Sequence, residues 1–95
     1  MIKDIGDTTL YAQWSYSIIF NSNGGNGVMS NQIINNNKTI NLSNNTYTKD
    51  GYDFKEWNTK IDGTGTSYLN EGEITDLGNT TLYAQWKIMR VMVVN

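Results

Sequence analysis

The side chains that could do chemistry in this 95-residue chain are its carboxylates and its aromatic rings. The sequence has no cysteine and no histidine, which excludes disulfides, thiolate zinc sites, cysteine nucleophiles and histidine-based triads. A general acid–base pair needs two carboxylates held at a fixed separation. Spacing singles out no two carboxylates in the second half of the chain: Asp50, Asp53, Glu56, Asp62, Glu71, Glu73 and Asp76. The sequence therefore predicts no catalytic residues, no metal site and no cofactor.

One carboxylate, Asp62, stands in the glycine-rich segment 62–66 and faintly resembles a calcium loop. Calcium loops place several acidic or amide ligands at alternate positions, whereas this segment holds a single carboxylate. A hairpin turn is the favoured interpretation. The pairs Asn23-Gly24 and Asn26-Gly27 are also turn signals, although glycine-rich loops can bind anions through backbone N–H groups.

Three Trp, six Tyr and two Phe could form a platform for sugar rings or the core of a small domain. The core is favoured because a chain this short must bury its large side chains to fold. Tyr83 and Tyr11 are out of phase with the neighbouring leucines and are therefore candidates for partner contact. The predicted core consists of seven residues: Ile18, Phe20, Tyr52, Phe54, Trp57, Leu82 and Trp86.

Alternation of apolar and polar residues predicts strands at 16–20 and 80–86. In the aromatic centre of the chain, Tyr52 and Phe54 share one strand face. Trp57 follows three residues later, so a bulge or turn must intervene to bring its ring to the same face. The strands therefore position the aromatic rings.

Composition favours strands and turns over helices. The 14 asparagines and 11 threonines are poor residues for helix interiors, and threonine favours strands. Residues 43–46 could cap a helical turn through a side-chain oxygen, but Gly51 follows closely, so any helix there is short. The net charge of −2 excludes a basic nucleic-acid binder, and no apolar stretch approaches the roughly 20 residues of a membrane span.

The sequence contains an internal repeat. Ile2–Trp14 and Ile74–Trp86 are identical at ten of thirteen positions, with an offset of 72 residues. Residues 1–14 are therefore interpreted as the C-terminal strand of a preceding repeat and residues 15–87 as one complete repeat. Residues 88–95 form a β-prone tail of uncertain origin. The pattern predicts a tandem array in which each unit is about 72 residues long.

The chain carries four separated motifs: YSIIFNSNGG from Tyr16, GYDFKEWNT from Gly51, DGTGTSY from Asp62 and TLYAQW from Thr81. In their order and spacing they resemble the B-repeat of internalin B, the Listeria–Bacteroides repeat of bacterial surface proteins. Two departures are Glu56, where the family usually has Gly, and Ser30, where many members have Pro.

The resemblance implies an α+β, mostly β fold of the β-grasp (ubiquitin-like) type, a curled sheet with at most one short helix. It implies a non-catalytic spacer and protein-interaction unit in adhesion, located outside the cell at the bacterial surface or cell wall. The expected partners are proteins or host-surface molecules and neighbouring repeats, with no nucleic acid and no membrane insertion. A carbohydrate-binding module of a secreted protein is the alternative.

The second copy of the TTLYAQW strand raises the question of assembly. One repeat has a single place for this strand, so residues 8–14 would expose Leu10 and Trp14 unless they found a sheet edge. An unpaired strand readily adds to another chain. The sequence therefore predicts strand-mediated pairing between chains, with Leu10 and Trp14 as contacts.

Overall fold

The computed structural model describes Leu10 and residues 14–89. Regular structure in these residues consists of strands, and they contain no helix. In chain order the strands are β1 Ser15–Asn21, β2 Gln32–Asn35, β3 Thr39–Asn41, β4 Tyr52–Asn58, β5 Ser67–Tyr68, β6 Glu73–Thr75 and β7 Thr80–Ile88.

Five strands form one sheet in the order β2-β1-β7-β4-β5. Its central strands, β1 and β7, run parallel, with Ile18 opposite Thr80. Every other pairing in this sheet is antiparallel. Strands β3 and β6 form a separate antiparallel pair in which Ile40 lies opposite Ile74. The first and last strands of the repeat therefore meet at the centre of the fold.

Side-chain alternation along β7 buries Leu82 and Ala84 on the core face of the sheet. The neighbouring β4 shifts register between Phe54 and Glu56. This shift places Trp57 opposite Ala84, on the same face as Phe54. The predicted bulge is confirmed.

The core lies between the large sheet and the β3–β6 pair. Trp57 is fully buried at its centre, 4.8 Å from the Phe20 ring and 5.0 Å from the Phe54 ring between centroids. The buried set extends beyond the sequence prediction: Ile18, Phe20, Ile34, Leu42, Tyr47, Trp57, Ile74, Leu82 and Ala84.

The predicted helical turn at 43–46 is wrong, and with it the helical part of the expected α+β class. The segment is extended because its polar groups are paired in another way. The Asn45 side chain accepts from the Tyr47 N–H at 2.9 Å and donates to the Tyr47 carbonyl at 3.1 Å. Thr48 then exchanges backbone hydrogen bonds with Asn26. Asparagine competes here with the helix, as its side-chain chemistry allows.

Candidate functional site

The predicted core residues divide into two groups. Ile18, Phe20, Trp57 and Leu82 are buried. The remaining three are partly exposed: Phe54 and Trp86 pack against the buried cluster, and Tyr52 lies at the end of β4 opposite Ile88.

The Trp86 ring lies on the turn that follows β1. Its indole Nε1–H donates to the Ser22 carbonyl at 2.9 Å. A Cβ added at Gly25 would stand 2.6 Å from Trp86 Cζ2, so the close approach requires glycine. Asn23, with φ 48°, donates its amide to the Ala84 carbonyl at 2.8 Å. Asn23, from the first Asn-Gly pair, therefore joins this turn to β7, whereas Asn26 of the second pair bonds to Thr48.

An open depression of about 390 Å³ lies beside Trp86. Lys49 places its Nζ 4.3 Å from the centroid of the Tyr52 ring, a cation–π contact. A tight turn brings the two together, because the Tyr52 N–H donates to the Lys49 carbonyl at 3.0 Å and Gly51 has φ 80°. The lining consists of Tyr47, Thr48, Lys49, Asp50, Gly51, Tyr52, Asp53, Phe54, Trp86 and Met89.

The chemistry of this depression suits a polar, uncharged ligand or a peptide segment. Aromatic faces offer stacking area, and the adjacent Asp50 and Asp53 offer hydrogen-bond acceptors. Within residues 10 and 14–89, His, Cys, Asp and Glu form no group of three that could hold a metal ion. The depression is therefore a candidate binding surface.

Asn58 is fully buried, and sequence reasoning gave it no role. Its Nδ2 donates to the Gly63 and Gly65 carbonyls at 3.1 and 3.3 Å and to Ser67 Oγ at 3.1 Å. Its Oδ1 accepts from the N–H groups of Lys60 and Gly65, both at 2.9 Å. One amide side chain thus holds the whole 59–67 loop. The only sequence signal was its position next to Trp57 in a recognisable motif.

Among the described residues, two groups have a pKa altered by their surroundings. Two hydrogen bonds from Thr64, one from Oγ1 at 2.7 Å and one from the backbone N–H at 3.0 Å, lower the pKa of Asp62. Burial raises the pKa of Tyr47, whose hydroxyl donates to the Phe20 carbonyl at 2.8 Å. The Asp62 carboxylate therefore accepts hydrogen bonds from its own turn, as the hairpin interpretation requires.

The face of the sheet opposite the core carries the predicted contact residue Tyr83. This side chain is partly exposed, between Asn21 on β1 and Asn58 on β4. The exposed side chains of Ile19 and Ile33 lie on the same face. The described residues place no second layer over these two isoleucines.

The other predicted contacts precede β1. Leu10 and Trp14 are 71% and 61% exposed. The Trp14 carbonyl accepts from the Asn36 N–H at 2.8 Å, which extends the β1–β2 ladder by one residue. Tyr11 lies outside the described residues.

The strands and the site together define a small β-sheet repeat module whose polar side chains chiefly build turns. The sequence pattern of the Listeria-Bacteroides repeat domain matches residues 16–85, and the chain belongs to this family. The resemblance seen in the sequence is therefore confirmed.

Two proteins of Evansella cellulosilytica are similar to this chain. One, named "Putative Gly-rich membrane protein", is 39% identical over 95 residues, which cover 92% of this chain and 11% of that protein. The other, named "Putative membrane protein", is 33% identical over 86 residues, which cover 82% of this chain and 13% of that protein. The chain thus spans between 11% and 13% of the length of these relatives. No solved structure matches it.

No helix in the described part of the chain has the length and apolar character that crossing a membrane requires.

Proposed function

We propose that this chain is a non-catalytic tandem-repeat module of a bacterial cell-surface protein, acting as a spacer and protein-interaction unit in adhesion. The observation that carries the proposal is the 72-residue echo between residues 2–14 and 74–86. A unit repeated in tandem builds length and multivalency without any active site. Membership of the repeat family supports this role.

The use of the polar side chains supports a structural role as well. Asn58 and Asp62 direct their side chains at backbone groups of the 59–67 loop. Asn45 does the same in the segment between β3 and β4, where its side chain accepts from the Tyr47 N–H. Side chains engaged in turns are not free to hold a substrate.

The fold is best assigned to the β-grasp type. The order β2-β1-β7-β4-β5, with the first and last strands parallel at the centre, supports this assignment. In this variant the segment 42–51, between β3 and β4, contains no helix.

The proposed location is the outer surface of a bacterial cell or its cell wall. Support comes from the family and from the printed names of the two long relatives, both of which include the words "membrane protein". The module then holds a binding head away from the surface and adds weak contacts of its own.

The spacer role is tested by small-angle X-ray scattering on proteins with one, two and three repeats. The added unit is residues 15–86, inserted after Trp86 of the full chain. The maximum dimension should rise by a constant increment with each unit. A dimension that stays nearly constant as units are added would refute the spacer role.

The depression beside Trp86 favours a second candidate function, carbohydrate binding. Stacking of a sugar on the Tyr52 ring would be lost in Tyr52→Ala. Titration against a glycan array should then show binding by the wild type that falls at least tenfold in this variant. Ile33→Ala changes an exposed side chain on the opposite face and is the control for this site, whereas Tyr83→Ala tests the sequence-based candidate separately. Absence of binding to any glycan at millimolar concentration would end this alternative.

A further inference from the structure

The junction between repeats is visible at the start of β1. Trp14 is the last residue of the first TTLYAQW segment, and Ser15 begins β1 immediately after it. The Trp14 carbonyl is already hydrogen-bonded to the Asn36 N–H at 2.8 Å. The final residue of one repeat thus belongs to the β1–β2 ladder of the next.

The other end of the repeat shows what the same positions do for the preceding unit. With the 72-residue offset, Lys87 and Ile88 correspond to Ser15 and Tyr16. Lys87 and Ile88 lie within β7 and pair with β4 residues Asp53 and Tyr52, respectively. The two positions therefore belong to β7 of one repeat and to β1 of the next.

The two sets of hydrogen bonds use opposite edges of the strand. On β1, the even-numbered Trp14 bonds towards β2, whereas the odd-numbered Ser17 donates to Asn79 Oδ1 on the other side. Directly after β7, the odd-numbered Met89 donates to the carbonyl of Gly51, the residue before β4. Peptide groups alternate between the two edges of a strand, and an offset of 72 preserves odd and even. The β4 of one repeat and the β2 of the next can thus flank one strand together.

Side-chain directions agree with this arrangement. Leu82, Ala84 and Trp86 face the core from β7, and Ile18 and Phe20 face it from β1. All five positions are even-numbered, so a strand that continues from one repeat into the next keeps its apolar side chains on one face. No residue has to be inserted or skipped at the junction.

We propose that consecutive repeats share one uninterrupted strand, in which β7 of one repeat continues as β1 of the next. The partner is a second copy of this module in the same chain, so the inference rests on the tandem arrangement of the proposed function. It adds that the junction is a rigid continuation of the sheet, with no flexible linker.

The register fixes the spacing of the array. Thr80 lies beside Ile18, so Lys87 stands ten residue steps further along the strand direction than Ser15. At about 3.3 Å per residue, each repeat advances the array by about 33 Å. It also moves the chain sideways by one strand, about 4.8 Å.

At residue 17, the neighbour on this edge of the strand changes from β4 of the preceding repeat to β7 of the repeat that residue 17 belongs to. Its equivalent, Met89, bonds to Gly51 of the same repeat, whereas the Ser17 N–H is bonded to Asn79 Oδ1 at 3.0 Å. From Ile18 onward the edge is paired with β7. The shared segment is therefore 14–16.

The test is a two-repeat protein made by inserting a second copy of residues 15–86 after Trp86 of the full chain. Because the sequence has no cysteine, Asn31→Cys in each repeat gives two unique sites for spin labels. Asn31 is exposed. Pulsed electron paramagnetic resonance then measures the distribution of distances between the labels.

Two insertions at the Trp–Ser junction form a matched pair. Two added threonines preserve the odd–even phase, so the distribution should stay as narrow as that of the direct junction and shift by about 7 Å. One added threonine turns the side chains that follow it to the opposite face of the sheet, and the width of the distance distribution should at least double. Equal widths for the direct junction, the single insertion and a six-residue Gly-Ser linker would overturn the shared strand. Growth of the maximum dimension with repeat number would still support the spacer role.

Hydrogen exchange tests the same junction in the chain as it stands. The Asn36 amide should exchange at least tenfold faster when residues 1–14 are deleted, because its acceptor is the Trp14 carbonyl. The Lys38 amide, which donates to Asn35, should keep its rate and is the control. An unchanged Asn36 rate would count against the shared strand.

Discussion

Replacing Asn58 by aspartate changes one group of a fully buried side chain and tests the loop that this residue holds. In the wild type, Nδ2 donates to two carbonyls, of Gly63 and Gly65, and to Ser67 Oγ. A carboxylate oxygen cannot donate, so both bonds to carbonyls are lost and two carbonyl oxygens face a negative charge, whereas the Ser67 hydroxyl can turn and donate to the carboxylate. At about 1.5 kcal/mol for each carbonyl that loses its donor, Asn58→Asp should lower the free energy of unfolding by about 3 kcal/mol at pH 7.

Thermal unfolding followed by circular dichroism measures this loss. For a domain of this size, about 3 kcal/mol corresponds to a fall in Tm of about 12–24 °C. Burial raises the pKa of the introduced carboxyl above its unfolded value. The charged form is thus disfavoured in the folded state, and the loss in free energy of unfolding grows as pH rises through the unfolded pKa. The difference in Tm between the variant and the wild type should therefore be smaller at pH 4 than at pH 7.

Asn31→Asp is the control, because it makes the same change in charge on an exposed side chain. It should alter the free energy of unfolding by less than about 0.5 kcal/mol. Unfolding of Asn58→Asp at the wild-type temperature would show that this side chain does not hold the loop. Equal losses in the two variants would show that net charge is the cause.

Three further substitutions test other parts of the structure. Gly25→Ala should lower the free energy of unfolding by about 1–3 kcal/mol, because the added methyl overlaps the Trp86 ring; an unchanged denaturant midpoint would contradict the packing. Trp57→Ala should cost about 3–5 kcal/mol, and a cooperative wild-type-like melt would show that the ring is not central. NMR titration should give Asp62 a pKa below its usual range, so its contribution to stability is present above the unfolded pKa and lost as pH falls through the folded value. Thr64→Val should raise that pKa, and no movement would exclude the Oγ1 bond as a cause.

Strand positions were predictable where alternation was long and regular. The segments 16–20 and 80–86 lie within β1 and β7, and the bulge in β4 followed from the three-residue step between Phe54 and Trp57. Alternation fixes which side chains share a face, because strand geometry repeats every two residues. It does not specify which strands become neighbours.

Several core residues could not be found in this way. Tyr47 lies in an irregular segment, where its ring packs edge-on against Trp57 and its hydroxyl donates to the Phe20 carbonyl. Ile74 is buried through the pairing of β6 with β3, two strands of three residues each. The pairing of such short elements depends on contacts distant in sequence.

The candidate binding surface was only partly foreseen. Tyr52, placed in the core from its strand face, instead lines the open depression under Lys49. Its position follows from the tight turn at Gly51, which local propensity alone does not predict. The contribution of Trp14 to the β1–β2 ladder was likewise visible only once the strands were paired.

Single-molecule stretching of a three-repeat protein tests the central claim most directly, namely that the 72-residue unit is a self-contained folding module. Each module should unfold in one step and release a contour length of about 220 Å, since 72 residues extend to about 250 Å and the folded unit already spans about 33 Å. Three equal steps of this size are predicted. Steps of irregular size, or extension without any force peak, would contradict the account.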